Sequence, residues 1–176
     1  MVTSIRGYMA ASLDGFIADP DGGVEWLKPF EKVEYGFREF FAEIGTAVFG
    51  RATYEQSLGF PGPWTFAGKQ CLVVTSQPLA DPPPGVEAWQ QGVGEGLVRR
   101  LQAAEGGDAW IVGGARLQGA LFDLDAIDRF ELFVIPVLLG DGVPMFPKSA
   151  RRHRFDLTSA RSLPEGMLYL DYRRRA

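Results

Sequence analysis

The sequence is poor in the residues that most enzyme sites are built from: it has one cysteine, Cys71, and one histidine, His153. A lone cysteine excludes a disulfide within the chain and any thiolate metal cluster. His153 stands in "ARRHRF", among arginines and far from any serine elbow, and reads as a surface residue. Hydrolase triads and zinc sites therefore drop out. An excess of positive charge is missing as well: the net charge is −4, Lys and Arg are scattered, and the short basic run Arg173-Arg174-Arg175 reads as a solvated strand end rather than a nucleic-acid footprint. No apolar run approaches the roughly 20 residues that cross a bilayer, and the first residues lack the charged-then-apolar pattern of a secretory signal. A soluble, cytoplasmic protein is expected.

What is present suits one compact domain over residues 1–176, because 46% of the chain is hydrophobic and a chain of this size buries a substantial core. "SIRGYMA" opens as a strand and runs into "ASLDGFIADPDGGVEWL", where Gly, Asp and Pro mark a long loop. In "EKVEYGFREFFAEIG", Val33, Phe37, Phe40, Phe41 and Ile44 recur at helical spacing, and Gly45 is placed to end that helix. "AVFG", "CLVVTS" and "AWIVGG" are short apolar runs of buried-strand type. Helices are predicted from Arg51, within "GEGLVRRLQAAEGG" and over "ARLQGALFD". A long β-rich run, "RFELFVIPVLLG", follows, and then two strands joined around Pro164-Glu165-Gly166. Strands alternating with helices, closed by an antiparallel pair, predict a three-layer α/β fold with a mixed, mainly parallel sheet. There is no internal repeat.

In such sheets ligands sit at the carboxyl ends of the strands, which places "VFG|RAT", "VVT|SQ" and "IVG|GA" along one rim. A helix starting at Arg51 points its unpaired N–H groups and positive dipole end toward Gly50, a ready anion site. Arg51 can add a bidentate contact and Thr53 a hydroxyl; the alternative is a tight strand-to-helix turn with a solvated arginine. A second turn of the same kind, Gly113-Gly114-Ala115, favours a diphosphate-containing dinucleotide, with Thr75 and Ser76 between them for a further phosphate or a ribose hydroxyl. Three lookalikes fail. "GVGEGL" lacks the third glycine of the dinucleotide fingerprint, "GPWTFAGK" has the wrong spacing for a P-loop, and "DGFIADPDGG" lacks the closing glutamate of a calcium loop.

With "AASLDGFIA", "VFGRATYE", "LVVTSQP", "WIVGGARLQGAL" and "FELFVIPVLLGDGVPMFP" in this order, the chain resembles the dihydrofolate reductase-like superfamily. Its similarity is greatest to the branch of the reductase domain of bacterial riboflavin biosynthesis. The resemblance implies an NADPH-dependent reductase. It implies that Gly50, Arg51 and Thr53 form the first phosphate turn, that Thr75 and Ser76 lie near the adenosine 2′-phosphate, and that Gly113, Gly114 and Ala115 receive the pyrophosphate. Ala10 and Ile17 would flank the nicotinamide, with Asp14-Gly15 in a mobile loop between them. Trp26 and Phe37 would line the substrate pocket. Glu34, sixteen positions before Gly50, would be the substrate-side carboxylate; the alternative is a solvent-facing glutamate on an acidic helix. The deaminase half of the bifunctional riboflavin enzyme needs a His-x-Glu and Cys-x-x-Cys set that this chain cannot supply.

The implied reaction is hydride transfer to a pterin, pyrimidine or similar small heterocycle. A non-catalytic nucleotide-binding protein on the same fold is the competing expectation. The apolar run "LFVIPVLL" must be covered either by a helix of the same chain or by a second copy, and the resemblance implies a homodimer built from the C-terminal half.

Overall fold

The computed structural model describes residues 3–149 and 151–175. Six strands run parallel: Ile5–Ser12 (β1), Ile44–Gly50 (β3), Gln70–Val74 (β4), Val86–Trp89 (β5), Asp108–Gly113 (β6) and Arg129–Ile135 (β7). Leu168–Arg174 (β10) pairs antiparallel to β7, and Phe155–Ser162 (β9) pairs antiparallel to β10. The resulting eight-stranded sheet has the order β5-β4-β3-β6-β1-β7-β10-β9. Phe16–Ala18 (β2) and Val143–Pro144 (β8) form a separate antiparallel pair. The helices are Phe37–Glu43 (α1), Arg51–Leu58 (α2), Glu95–Gln102 (α3) and Ala115–Asp123 (α4).

Side chains of a strand alternate between faces, and here consecutive residues divide between two cores. Met9, Val48, Leu72 and Ile111 pack with Leu97 and Leu101 of α3 and Leu117 and Leu121 of α4. Tyr8, Phe49, Val73 and Trp110 pack with Phe40 of α1 and Tyr54 of α2. Helices thus cover both faces, which is why the strands read as continuous apolar runs rather than alternating ones. Fully buried members such as Phe49 and Ile111 each contribute about 1.5–3 kcal/mol by leaving water.

Three expectations are corrected. The helix predicted across Glu31–Gly45 forms only over Phe37–Glu43. Gly36 takes φ 85°, a left-handed conformation that starts the helix afresh. Gly45 does not end it but lies within β3, where an added Cβ would come within 2.7 Å of the Gly106 backbone. Val33 and Ile44 are buried from a turn and a strand respectively, so apolar spacing alone overstated the helix. The run predicted as a long strand through Gly140 stops at Ile135, because Pro136 has no N–H to continue the ladder. β5 was not anticipated. Among the described residues, no helix is long and apolar enough to cross a membrane.

Candidate cofactor rim and substrate pocket

Parallel pairing brings the carboxyl ends of β3, β4, β6 and β1 to one rim. β3 ends at Gly50 and leads directly into α2, while β6 ends at Gly113 and leads through Gly114 into α4. The two turns touch. A Cβ on Gly50 would lie 3.2 Å from the Gly114 nitrogen and 3.6 Å from the Gly113 oxygen. On Gly113 it would lie 3.3 Å, and on Gly114 3.2 Å, from Thr53 Oγ1. The Gly113–Gly114 peptide is cis, and Gly113 adopts φ 148°, a conformation open chiefly to glycine. Neither helix is capped by a side chain, so the first-turn N–H groups of both remain available at the rim. Ala115, the first residue of α4, is buried.

Arg51 bridges this contact to the end of β4. Its Nη1 donates to Thr75 Oγ1 at 3.3 Å and to the carbonyls of Gln77 and Pro78 at 3.4 and 3.1 Å. Its Nε donates to Glu55 Oε1 at 2.7 Å, an exposed helical pair worth about 0.3–0.5 kcal/mol. The guanidinium is therefore held beside Thr75, with Ser76 exposed next to it.

Ala10 of β1, Trp26 of the 3-10 turn Glu25–Phe30, and Phe37 at the start of α1 all pack against the core on the α1 side of the sheet. Ile17 of β2 packs against the opposite core. The intervening loop is tied down. Asp14 Oδ1 accepts from Ser12 Oγ at 2.6 Å and from the Leu139 N–H at 3.1 Å, and Oδ2 accepts from the Gly140 N–H at 2.8 Å. The Ser12 bond, with the two backbone bonds, holds the Asp14 carboxyl below its ordinary value. Met145 N–H donates to Gly15 O at 2.9 Å. The segment expected to move is thus fastened to the chain that follows β7.

Glu34 is exposed, as its solvent-facing alternative expects, but it lies outside α1, in the stretch before Gly36, rather than on a helix. Its charge still reaches the half-buried Tyr35 phenol, which burial first and Glu34 second push above its ordinary value.

A buried ionic network that the sequence pattern does not show joins the first half of β1 to β6, β7 and the end of α1. Arg6 is 2% exposed and donates from Nε and Nη2 to Glu131 Oε2 at 3.1 and 2.6 Å, and from Nη1 to Glu43 and Asp108 at 2.5 and 3.1 Å. Burial acts to lower the Arg6 pKa, but the hydrogen bonds it donates to Glu43 and Glu131 outweigh it and raise the value. Glu131 Oε1 accepts from the Tyr169 hydroxyl at 2.8 Å. The available signal was a charged residue inside an apolar strand, the arginine of "IRGYMA", which demands buried partners.

Comparison with known proteins bears on the family and the fold. A family model described as the RibD C-terminal domain matches residues 70–169, more than half of the chain. The uncharacterized protein YwjB of Bacillus subtilis (strain 168) is 37% identical over 140 residues, covering 79% of this chain and 80% of that protein. A crystal structure of a Shewanella sp. PV-4 protein matches 99% of this chain and 100% of its own with a TM-score of 0.84 at 23% identity. A deaminase/reductase of diaminohydroxyphosphoribosylaminopyrimidine and 5-amino-6-(5-phosphoribosylamino)uracil from Thermotoga maritima matches 99% of this chain and 57% of its own, with a TM-score of 0.73 at 16% identity. Dihydrofolate reductase of Enterococcus faecalis, complexed with NADP(H), covers 100% of both chains with a TM-score of 0.67 at 21% identity. The structures share the dihydrofolate reductase-like fold, and by sequence the chain belongs to the RibD C-terminal domain family.

Proposed function

We propose that the protein is an NADPH-dependent reductase acting on a small heterocycle of pterin or pyrimidine type. The observation that carries the reading is the contact of the two strand-glycine-helix turns, Gly50 against Gly113-Gly114 with Thr53 over both. Glycine lets the two turns and Thr53 approach this closely, and two uncapped helix starts lead away from the contact, an arrangement suited to a diphosphate. Amides at the starts of α2 and α4 would hold the pyrophosphate, Thr53 would add a hydroxyl, and Arg51 with Thr75 and Ser76 would take the adenosine 2′-phosphate. Ala10 and Ile17 would confine the nicotinamide from the two sides of the rim. When bound, the reduced cofactor supplies a hydride.

The chain's own task is to orient the substrate against that ring and exclude water. Trp26 and Phe37 offer apolar walls for a flat ring, and the Asp14 fastening keeps the loop down over the reacting end. Glu34, exposed beside Tyr35, is suited to relay a proton from solvent rather than to sit buried against the ring. NADPH oxidation followed across a panel of pterins, pyrimidines and related heterocycles tests the reading. Turnover with at least one member is expected. NADPH binding without turnover on any member would support the non-catalytic nucleotide-binding reading instead.

We also propose that the protein works in the cytoplasm as a homodimer joined through the β7-β10-β9 end of the sheet. Val134, Leu168 and Ser162 lie in one cross-strand row and Leu132, Leu170 and Ala160 in the next. Leu168 is 42% exposed, and an apolar face of this kind is costly to leave in water.

A further inference from the structure

A cleft of about 370 Å³ opens between α1 and the strands β1, β7, β9 and β10, with Tyr8 in its lining. Tyr8 is 8% exposed. Its ring stacks on Phe40 at 3.8 Å between centroids and lies 4.9 Å from Phe133. The hydroxyl is buried and has no hydrogen-bond partner among the described residues. Three of its polar neighbours are, by contrast, already engaged: the Tyr169 hydroxyl bonds to one oxygen of Glu131, and the Arg6 guanidinium bonds to the other. A buried hydroxyl without a partner lowers stability. Burial first, and then the neighbouring Tyr35 and Glu131, push the Tyr8 phenol well above its ordinary value. It stays protonated, with its O–H unpaired.

Tyr8 and Ala10 pack into the same core and, as residues i and i+2 of β1, share one face about 7 Å apart. The phenol therefore stands on the same face of the sheet as the residue assigned to the nicotinamide, two positions nearer the start of β1. We propose that Tyr8 is a substrate-binding residue, its hydroxyl donating a hydrogen bond to a carbonyl oxygen or ring nitrogen of the heterocycle seated in this cleft. The proposal rests on the reductase reading for the identity of that ligand. Tyr8, Tyr35, Phe40 and Tyr169 give the lining flat aromatic surface for a ring, beside three arginines (Arg6, Arg129 and Arg161) and three glutamates (Glu39, Glu43 and Glu131) whose charges offset one another.

Tyr8→Phe tests it, because phenylalanine keeps the packing on Phe40 and Phe133 and removes only the oxygen. Uracil and pterin serve as probes in isothermal titration, alongside NADPH and thermal unfolding of the ligand-free protein. At least one probe should bind the wild type and bind Tyr8→Phe about tenfold more weakly, while NADPH affinity stays the same. The unfolding midpoint of the ligand-free variant should rise by about 2–4 °C, as expected when an unpaired buried hydroxyl is removed from a domain of this size. Failure of both probes to bind the wild type, equal binding by the variant, or a lowered midpoint would each overturn the proposal. NADPH is titrated separately, so its failure to bind would sink the reductase reading and leave the Tyr8 result to be judged on the probes.

Discussion

Gly50 offers the sharpest perturbation of the rim, because its backbone at φ −73° and ψ 156° suits any L-residue and a substitution there adds atoms without straining the chain. In Gly50→Ala the new methyl would sit 3.2 Å from the Gly114 nitrogen, a few tenths of an ångström inside ordinary contact. A phosphate oxygen accepting from that amide needs a position about 2.7–3.2 Å from the same nitrogen, so methyl and oxygen compete. Losing one hydrogen bond to a charged acceptor costs about 1.5–3 kcal/mol, which is roughly 10- to 150-fold in NADPH affinity. Gly50→Val adds a second branch and should weaken binding further, at an overpacking cost of about 1–3 kcal/mol in stability. Isothermal titration with NADPH, paired with thermal unfolding to confirm the fold, reads both effects. A folded Gly50→Val protein that binds NADPH like the wild type would refute the reasoning, because the phosphates could not then rest on the Gly113-Gly114 amides.

Three further outcomes are expected. Glu34→Gln should lower turnover several-fold with NADPH affinity unchanged, and full activity would return Glu34 to the role of a solvated surface residue. The Asp14 fastening should be pH-dependent: a carboxyl whose pKa is lowered in the folded protein contributes above its ordinary value of 3.8 and is lost as pH falls through the lowered one. Protection factors for hydrogen exchange at the Leu139 and Gly140 amides, taken relative to the intrinsic rate at each pH, should accordingly be high near neutrality and fall in acid, and Asp14→Asn should show low protection at both pH values. Light scattering at micromolar concentration should give a dimer mass that Val134→Asp, on β7, abolishes; Leu138→Asp, in the 70% exposed loop position beyond the strand, should have the smaller effect, and a monomer mass for the wild type would end the proposal.

The fold was legible where local chemistry and tertiary packing agree. "ARLQGALFD" reads as a helix and is one, and the glycines of "VFGRAT" and "IVGGAR" end their strands at the rim as their lack of side chains permits. Legibility failed where burial alone set the pattern. The residues from Val33 to Ile44 keep helical spacing although only Phe37–Glu43 is helical, because a turn and a strand happen to deliver their apolar ends to the same core. The contact between the two glycine turns was not visible either, since it depends on β3 lying beside β6, a pairing that skips β4 and β5 in the chain. The buried pairing of Arg6 with Glu131 spans 125 positions and is fixed by the β1-β7 register, which local periodicity does not encode.

Isothermal titration of the wild-type protein with NADPH and NADH decides whether the rim is an NADP(H) site. One site per chain is expected for NADPH, with NADH bound more weakly because Arg51, held beside Thr75, has no 2′-phosphate to meet. Equal affinity for the two would remove the role given to Arg51, and absence of binding by both would contradict the account.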